Sequence, residues 1–99
     1  MVVRIHVDAE AELEEAFDYY QRRRPGLGHD FLDQYLRGTR TIAEAPHRWP
    51  VHPADARVRH LRLDIFPFSL VYQVRSDHCT IIAVAHTHRR PGYWRDRIQ

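Results

Sequence analysis

The sequence contains no lysine; all fifteen of its basic residues are arginines. Proton transfer near neutral pH must therefore fall to histidine, tyrosine or a carboxylate, because a guanidinium stays protonated. The single cysteine, Cys79, excludes an internal disulfide and suits a reducing compartment. At the head of an apolar stretch it reads as packing rather than as a nucleophile. No apolar run approaches the ~18 residues of a membrane span. Met1 to Glu10 has neither the apolar block nor the small-residue cleavage site of a secretory signal. The expectation is a cytoplasmic protein with no membrane association. Repeats, linkers and low-complexity tracts are lacking too, so residues 1–99 are expected to form a single domain.

What is present is enough to build a core, since 43% of the residues are hydrophobic and 11% aromatic. Charge is divided unevenly. Residues 1–45 carry nine acids and six arginines, net −3, whereas residues 46–99 carry four acids and nine arginines, net +5. The second half is where an anionic partner, nucleic acid or acidic protein, would bind.

Val3, Ile5 and Val7 alternate with Arg4 and His6, which predicts a half-buried strand. Asp8 is the expected N-cap of a helix from Ala9 to about Arg23, with Leu13, Ala16, Phe17 and Tyr20 on its apolar stripe. The acids from Glu10 to Asp18 read as its solvated face, and Arg22 to Arg24 as its C-terminal end before Pro25-Gly26. A second helix starts between Leu27 and Asp30 and runs to about Glu44. Its stripe is Leu32, Tyr35, Leu36, Thr39, Ile42 and Ala43, with Phe31 flanking it. Gly38 should weaken it by ~1 kcal/mol relative to alanine.

A proline-rich loop around Trp49 follows, and then three strands. Arg57 to Ile65 places Leu61, Leu63 and Ile65 on one face; Phe68 to Arg75 places Phe68, Leu70, Tyr72 and Val74 on one face. Cys79 to Ala85 is apolar on both faces and is expected to be central. The order is β-α-α-β-β-β. It predicts an α+β domain, a helical hairpin on a mainly antiparallel four-stranded sheet, with Ile5, Val7, Leu61, Leu63, Leu70 and Tyr72 receiving Leu13, Phe17, Tyr35 and Leu36.

A set of short words lies along this order: Ala11-Glu12-Leu13-Glu14-Glu15-Ala16 with Tyr19-Tyr20, Gly26-Leu27-Gly28 leading to Phe31, and Ile42 to Pro50. Arg59-His60-Leu61 follows, then Phe66-Pro67-Phe68-Ser69-Leu70-Val71-Tyr72, Ala83 to His86 and Arg89 to Trp94. In these words, spread over nearly the whole chain, the sequence resembles the ParE/RelE superfamily, the toxins of type II toxin–antitoxin modules also known as plasmid stabilisation proteins. The resemblance implies a small α+β toxin neutralised by a cognate antitoxin in a hetero-oligomer, without a cofactor. It also implies one of two targets. RelE-like members cut mRNA on the ribosome; ParE-like members poison DNA gyrase and need no catalytic residue. A third outcome is an inactive member kept as an antitoxin-binding module.

Metal-free RNA cleavage requires a base for the 2′-hydroxyl, an acid for the leaving oxygen and cations on the phosphate. The residues that could supply it are His86, His88, Arg59, Arg62, Arg89 and Tyr93. The RelE-like pattern, however, has an arginine where this chain has Ser69, another where it has Thr87, and lysines in the second strand. The Phe66-Pro67-Phe68 hinge and the His86 to Trp94 segment resemble the ParE-like branch instead. For that branch the candidate target-binding surface is Arg59, Arg62, Arg89, Arg90, Tyr93 and Trp94, types that dominate protein-binding hot spots. Tyr93 and Trp94 have a competing reading, in which the tail folds back and buries them. His86-x-His88 could start a metal site, but no third ligand stands at a supporting spacing, so no metal is expected.

Overall fold

The computed structural model describes residues 1–99. Strand β1 (Val2–Ile5) leads into helices α1 (Val7–Arg23) and α2 (Leu27–Glu44), and then into strands β2 (Val51–His52), β3 (Asp55–Arg62), β4 (Phe68–Val74) and β5 (His78–His86). A 3₁₀ turn at Arg95–Arg97 ends the tail. The sheet order is β1-β5-β4-β3-β2, with β1 parallel to β5 and every other pair antiparallel. The expected α+β architecture and the central place of β5 are therefore present. The sheet has five strands rather than four, because Val51 and His52 leave the proline-rich loop to pair along β3.

Both helices pack on one face of the sheet. Under them Tyr20, Phe31, Phe66 and Phe68 form an aromatic cluster with ring centroids 4.8–6.2 Å apart, beside buried Tyr35, Ile42, Leu61, Leu70 and Ile81. The apolar face of α2 is Phe31, Tyr35, Gly38 and Ile42, rotated from the expected stripe, and Leu36 is 48% exposed. Gly38 explains the rotation. A Cβ there would lie 2.8 Å from Leu70 Cδ1, so the missing side chain lets α2 approach the sheet closely. The hairpin turn likewise depends on Gly26, whose φ of 94° is unfavourable for residues with a Cβ.

The start of α1 and the end of β3 depart from expectation. Helix α1 starts at Val7 with His6 as N-cap, its Nδ1 accepting from the Asp8 N–H at 3.0 Å, so Val7 leaves the strand and is solvent-exposed. Strand β3 ends at Arg62, and Ile65 is 77% exposed in the following turn. The two apolar faces of β5 arise from a bulge. Tyr72 pairs with Ile81 and Val71 with Ala83, so Ile82 is the additional residue. Ile81 and Val84 consequently pack under the helices, while Ile82, Ala83 and Ala85 pack on the opposite side. There the tail covers them, with Trp94 resting against Val58 and Val71.

Candidate functional site

The register Arg62–Ser69–Ala85 forms the row of the sheet nearest the β5 exit. Leu61, Leu70 and Val84 belong to the core beneath the helices, so by strand alternation this row faces the other way. Two of its three side chains are small, and they leave a depression. Tight turns then fold the tail over its border. The Thr87 N–H donates to Pro67 O at 2.8 Å, the Arg89 N–H to His86 O at 3.0 Å and the Tyr93 N–H to Arg90 O at 3.2 Å. The result is a cleft of about 240 Å³ with His52, Arg62, Ser69, His86, Arg89 and Arg90 around it, and Tyr93 and Trp94 also in its lining.

Arg62, Arg89 and Arg90 are exposed, and none of them takes part in an ion pair. The Arg89 guanidinium lies 4.0 Å from the centre of the Tyr93 ring, a cation–π contact that fixes its direction. Tyr93 itself is tied down. Its hydroxyl donates to Glu12 Oε2 at 2.6 Å, and burial followed by that bond to a carboxylate raises its pKa well above the ordinary tyrosine value. It cannot serve as a base near neutrality. Among the histidines, His86 Nδ1 accepts from the His88 N–H at 3.1 Å, and its ring meets those of Phe68 and His88, each at 5.1 Å. Burial and then the neighbouring His88 lower the pKa of His86, which favours its neutral form.

Two of the candidate residues lie outside any such surface. Arg59 lies on the opposite face of β3, where it donates to Trp49 O at 2.6 Å and His47 O at 3.2 Å and ties down the proline-rich loop. Trp94 is 1% exposed; the tail folds back and uses the indole as core for the second face, edge-on to His52 at 4.9 Å. Trp94 is thus core, and Arg59 is half-buried with its guanidinium engaged by two carbonyls. The structure brings Arg62, Arg89, Arg90, His86 and the Tyr93 ring together, with His88 just beyond the rim.

Sequence reasoning missed Glu12, Arg97 and His52. Strand β1 pairs with β5 only as far as Ile81, so the edge of β5 is open beyond it. Glu12 reaches this edge from α1 and accepts the Val84 N–H at 3.0 Å. From the other side Arg97 donates to Ile82 O at 3.2 Å and to Glu12 Oε1 at 2.9 Å. One member of the supposedly solvated acidic face is thus a clasp for the bulge and the tail. No local signal marks it, because its partners lie 81 and 85 residues away. No group of three His, Cys, Asp or Glu side chains is placed to hold a metal ion, and no helix is long and apolar enough to cross a membrane.

A second, larger cleft of about 610 Å³ runs between α1 and the open edge of β5, past Tyr19, Tyr20, Phe68, Arg22, Arg23 and Arg89.

The family model described as the ParE toxin of the type II toxin–antitoxin system parDE matches residues 3–91. The fold is similar to that of a chain in the solved structure described as the chromosomal ParDE TA system from P. aeruginosa, with a TM-score of 0.78, 19% identity, and coverage of 89% of this chain and 97% of that one. At that identity the likeness is one of fold. No curated protein matches the chain by sequence.

Proposed function

The chain belongs to the ParE toxin family of type II toxin–antitoxin systems, and on that premise we propose that it arrests growth by binding and poisoning DNA gyrase, and that a cognate antitoxin holds it inactive. The observation that carries this reading is the grouping of Arg62, Arg89 and Arg90, unpaired, around one rigid border. The neighbouring groups that could have moved protons or held charge are engaged elsewhere: Tyr93 by Glu12, Arg97 by Glu12, and Arg59 by two carbonyls. What is left is a cationic surface on a fixed frame, suited to recognising an acidic macromolecule.

The antitoxin is proposed to lie along the cleft between α1 and the β5 edge. Exposed Tyr19 and the aromatic walls there offer an apolar seat, with Arg22 and Arg23 beside it for an acidic segment. A partly disordered peptide that folds as it binds fits this shape.

One observation favours a second reading, an mRNA endonuclease acting on the ribosome: neutral His86 borders the same cleft as the three arginines. Induction of the chain without antitoxin, followed by measurement of gyrase supercoiling and of cuts in translated mRNA, separates the two. Loss of supercoiling with intact mRNA is expected. Intact supercoiling with codon-positioned cuts overturns the gyrase reading, and unimpaired growth overturns both.

A further inference from the structure

Two turns that hold the tail are closed by a histidine nitrogen. His52 Nδ1 accepts from the Ala54 N–H at 3.0 Å, and His86 Nδ1 accepts from the His88 N–H at 3.1 Å. A backbone amide only donates, so each bond needs a bare Nδ1 and is lost when the imidazole takes a proton there. We propose that the segment from Thr87 to Arg95 is an acid-released flap, latched at its two ends by these imidazoles and freed when both are protonated, while the rest of the domain stays folded. The device stands on the fold alone and is the same whichever target the toxin has.

The two turns lie at the two ends of the segment. At the first, the Thr87 N–H donates to Pro67 O and the Arg89 N–H to His86 O, so the turn closed by His86 sets the direction in which the chain leaves β5. At the second, Trp94 and Arg95 sit on the turn between β2 and β3. The indole lies edge-on to His52 at 4.9 Å, Arg95 Nη2 donates to Ala54 O, and Arg95 Nε stands 3.6 Å from Asp55 Oδ2. The bond from Ala54 to His52 shapes this seat, and breaking it shifts the carbonyl that Arg95 holds.

The surroundings oppose charge on both rings. His52 faces the His60 ring at 4.7 Å and the Arg95 guanidinium, while Asp55, the carboxylate beside it, is engaged by Arg57 at 2.6 Å. His86 faces His88 at 5.1 Å and Arg89, with Arg62 and Arg90 across the smaller cleft. Around the larger cleft Glu12 and Glu15 are set against Arg22 and Arg23. Burial first, then His60 and Arg95, hold His52 below the ordinary histidine pKa against the pull of Asp55; burial and then His88 do the same to His86. The seated rings thus take their protons at lower pH than the released ones, so the latch is closed above about pH 6.5 and weakens as the pH falls below it. The anchors beyond the flap, Arg97 on Glu12 and Gln99 on Gln73, contain no histidine. Within it the Tyr93 hydroxyl bond to Glu12 resists opening. Opening uncovers Val58, Val71 and Ile82 beneath Trp94 and takes Arg89 and Arg90 off the border of the cleft.

The test follows Trp94 emission in a Trp49→Phe background, which leaves a single indole, while far-UV circular dichroism follows the helices. As the pH falls from about 7.5 to about 5, the emission should shift to the red and become open to acrylamide, with the helical signal unchanged. Two protons taken up on opening predict an opening constant that rises by up to ~100-fold per pH unit. Asparagine places an acceptor oxygen close to where Nδ1 stands and closes the same turn without titrating. His52→Asn or His86→Asn should therefore each reduce the dependence to ~10-fold per unit, and the double variant should flatten it. Tyr93→Phe should move the transition to higher pH. His6 makes the same bond, to the Asp8 N–H at the start of α1, and His6→Asn should leave the transition in place. Where His52→Asn does not fold at neutral pH, His86→Asn alone decides, by the reduced or unreduced slope. Trp94 still shielded at the acid end, helices lost together with its burial, a slope unchanged by the asparagine variants, or a transition erased by His6→Asn each overturn the proposal.

Discussion

Replacing Glu12 by alanine should be among the most destabilising changes available on the outside of α1. Its carboxylate accepts from the Val84 N–H, the Tyr93 hydroxyl and both terminal nitrogens of Arg97, at 2.6–3.2 Å. The side chains of Glu12 and Arg97 are only 14% and 16% exposed. Truncation leaves the largely buried Arg97 guanidinium with the Ile82 carbonyl and with Asp8 at 3.7 Å, and leaves the Val84 amide on the open edge of β5 without its acceptor. Removing one partner of a fully buried pair costs ~3–5 kcal/mol. The residual water access at this edge lowers that to ~2–4 kcal/mol, a large share of the ~5–15 kcal/mol by which domains of this kind are stable. Glu12→Gln keeps one acceptor oxygen but loses the charge, and should cost roughly half as much. Urea unfolding followed by tryptophan emission measures both, and Trp94, held down by the same tail, makes the signal sensitive to the tail's release. A Glu12→Ala/Arg97→Ala double-mutant cycle should give a coupling of ~1–3 kcal/mol. A loss below ~0.5 kcal/mol for Glu12→Ala would refute the clasp and return the residue to the solvated face.

Leu70→Ala removes a fully buried side chain packed against Gly38 and should cost ~2–5 kcal/mol by chemical denaturation; a negligible loss would mean that β4 presents its other face to the helices. Arg59→Ala should lower stability by ~1–2 kcal/mol by freeing the proline-rich loop, yet leave growth arrest intact at permissive temperature, whereas Arg90→Glu should abolish arrest without changing the melting temperature. His52 is held below its ordinary pKa by burial, then by His60 and Arg95, and His60 by burial. Since the unfolded chain protonates near pH ~6.5 and the folded chain only at lower pH, stability should be full above that value and decline as pH falls below it. The His52→Gln/His60→Gln variant should flatten the decline between pH 7 and 5 in thermal melts, and an unchanged slope would place the acid sensitivity elsewhere. His86→Gln should leave arrest unchanged under the gyrase reading; a ~10²–10⁴-fold fall in turnover would support the nuclease instead.

The legible parts of the fold were those set by local periodicity. The 3.6-residue stripe of α1 and the alternation in β4 place Ala16, Leu70 and Tyr72 in the core, and the order of the elements follows from the breaks at Pro25-Gly26 and Pro46. The parts that were not legible depend on distant contacts. Apolarity alone puts Leu36 on the stripe of α2, but the close approach to Leu70 selects the face that carries Gly38. The bulge at Ile82 is invisible in a run that is apolar throughout. At the candidate site, charge asymmetry points to the half of the chain in which the fold groups Arg62, Arg89 and Arg90 around one cleft. It also picked out Arg59, because two arginines three residues apart on a strand look alike in sequence while facing opposite sides of the sheet. Glu12 and Arg97 lie at nearly opposite ends of the chain, and only the tertiary fold shows their pairing.

The placement of the clasp connects the core to the exposed surface. The tail must cross from the end of β5 to the second face, because Trp94 is needed to close the apolar patch of Val58, Val71 and Ile82. Glu12 and Arg97 fix that crossing at one end, and Gln73 fixes it at the other, where its amide donates to Gln99 O at 2.8 Å and its carbonyl accepts from the Gln99 N–H at 3.2 Å. Between these anchors Tyr93 supports the Arg89 guanidinium from below. Stability and surface chemistry thus reside on adjacent residues of one short segment: Trp94 and Arg97 hold the domain together, while Arg89 and Arg90 stay exposed and form no ion pair. Exposed arginines whose charge no carboxylate balances are those on which a partner can act. In this chain two of them stand beside the residues that anchor the tail.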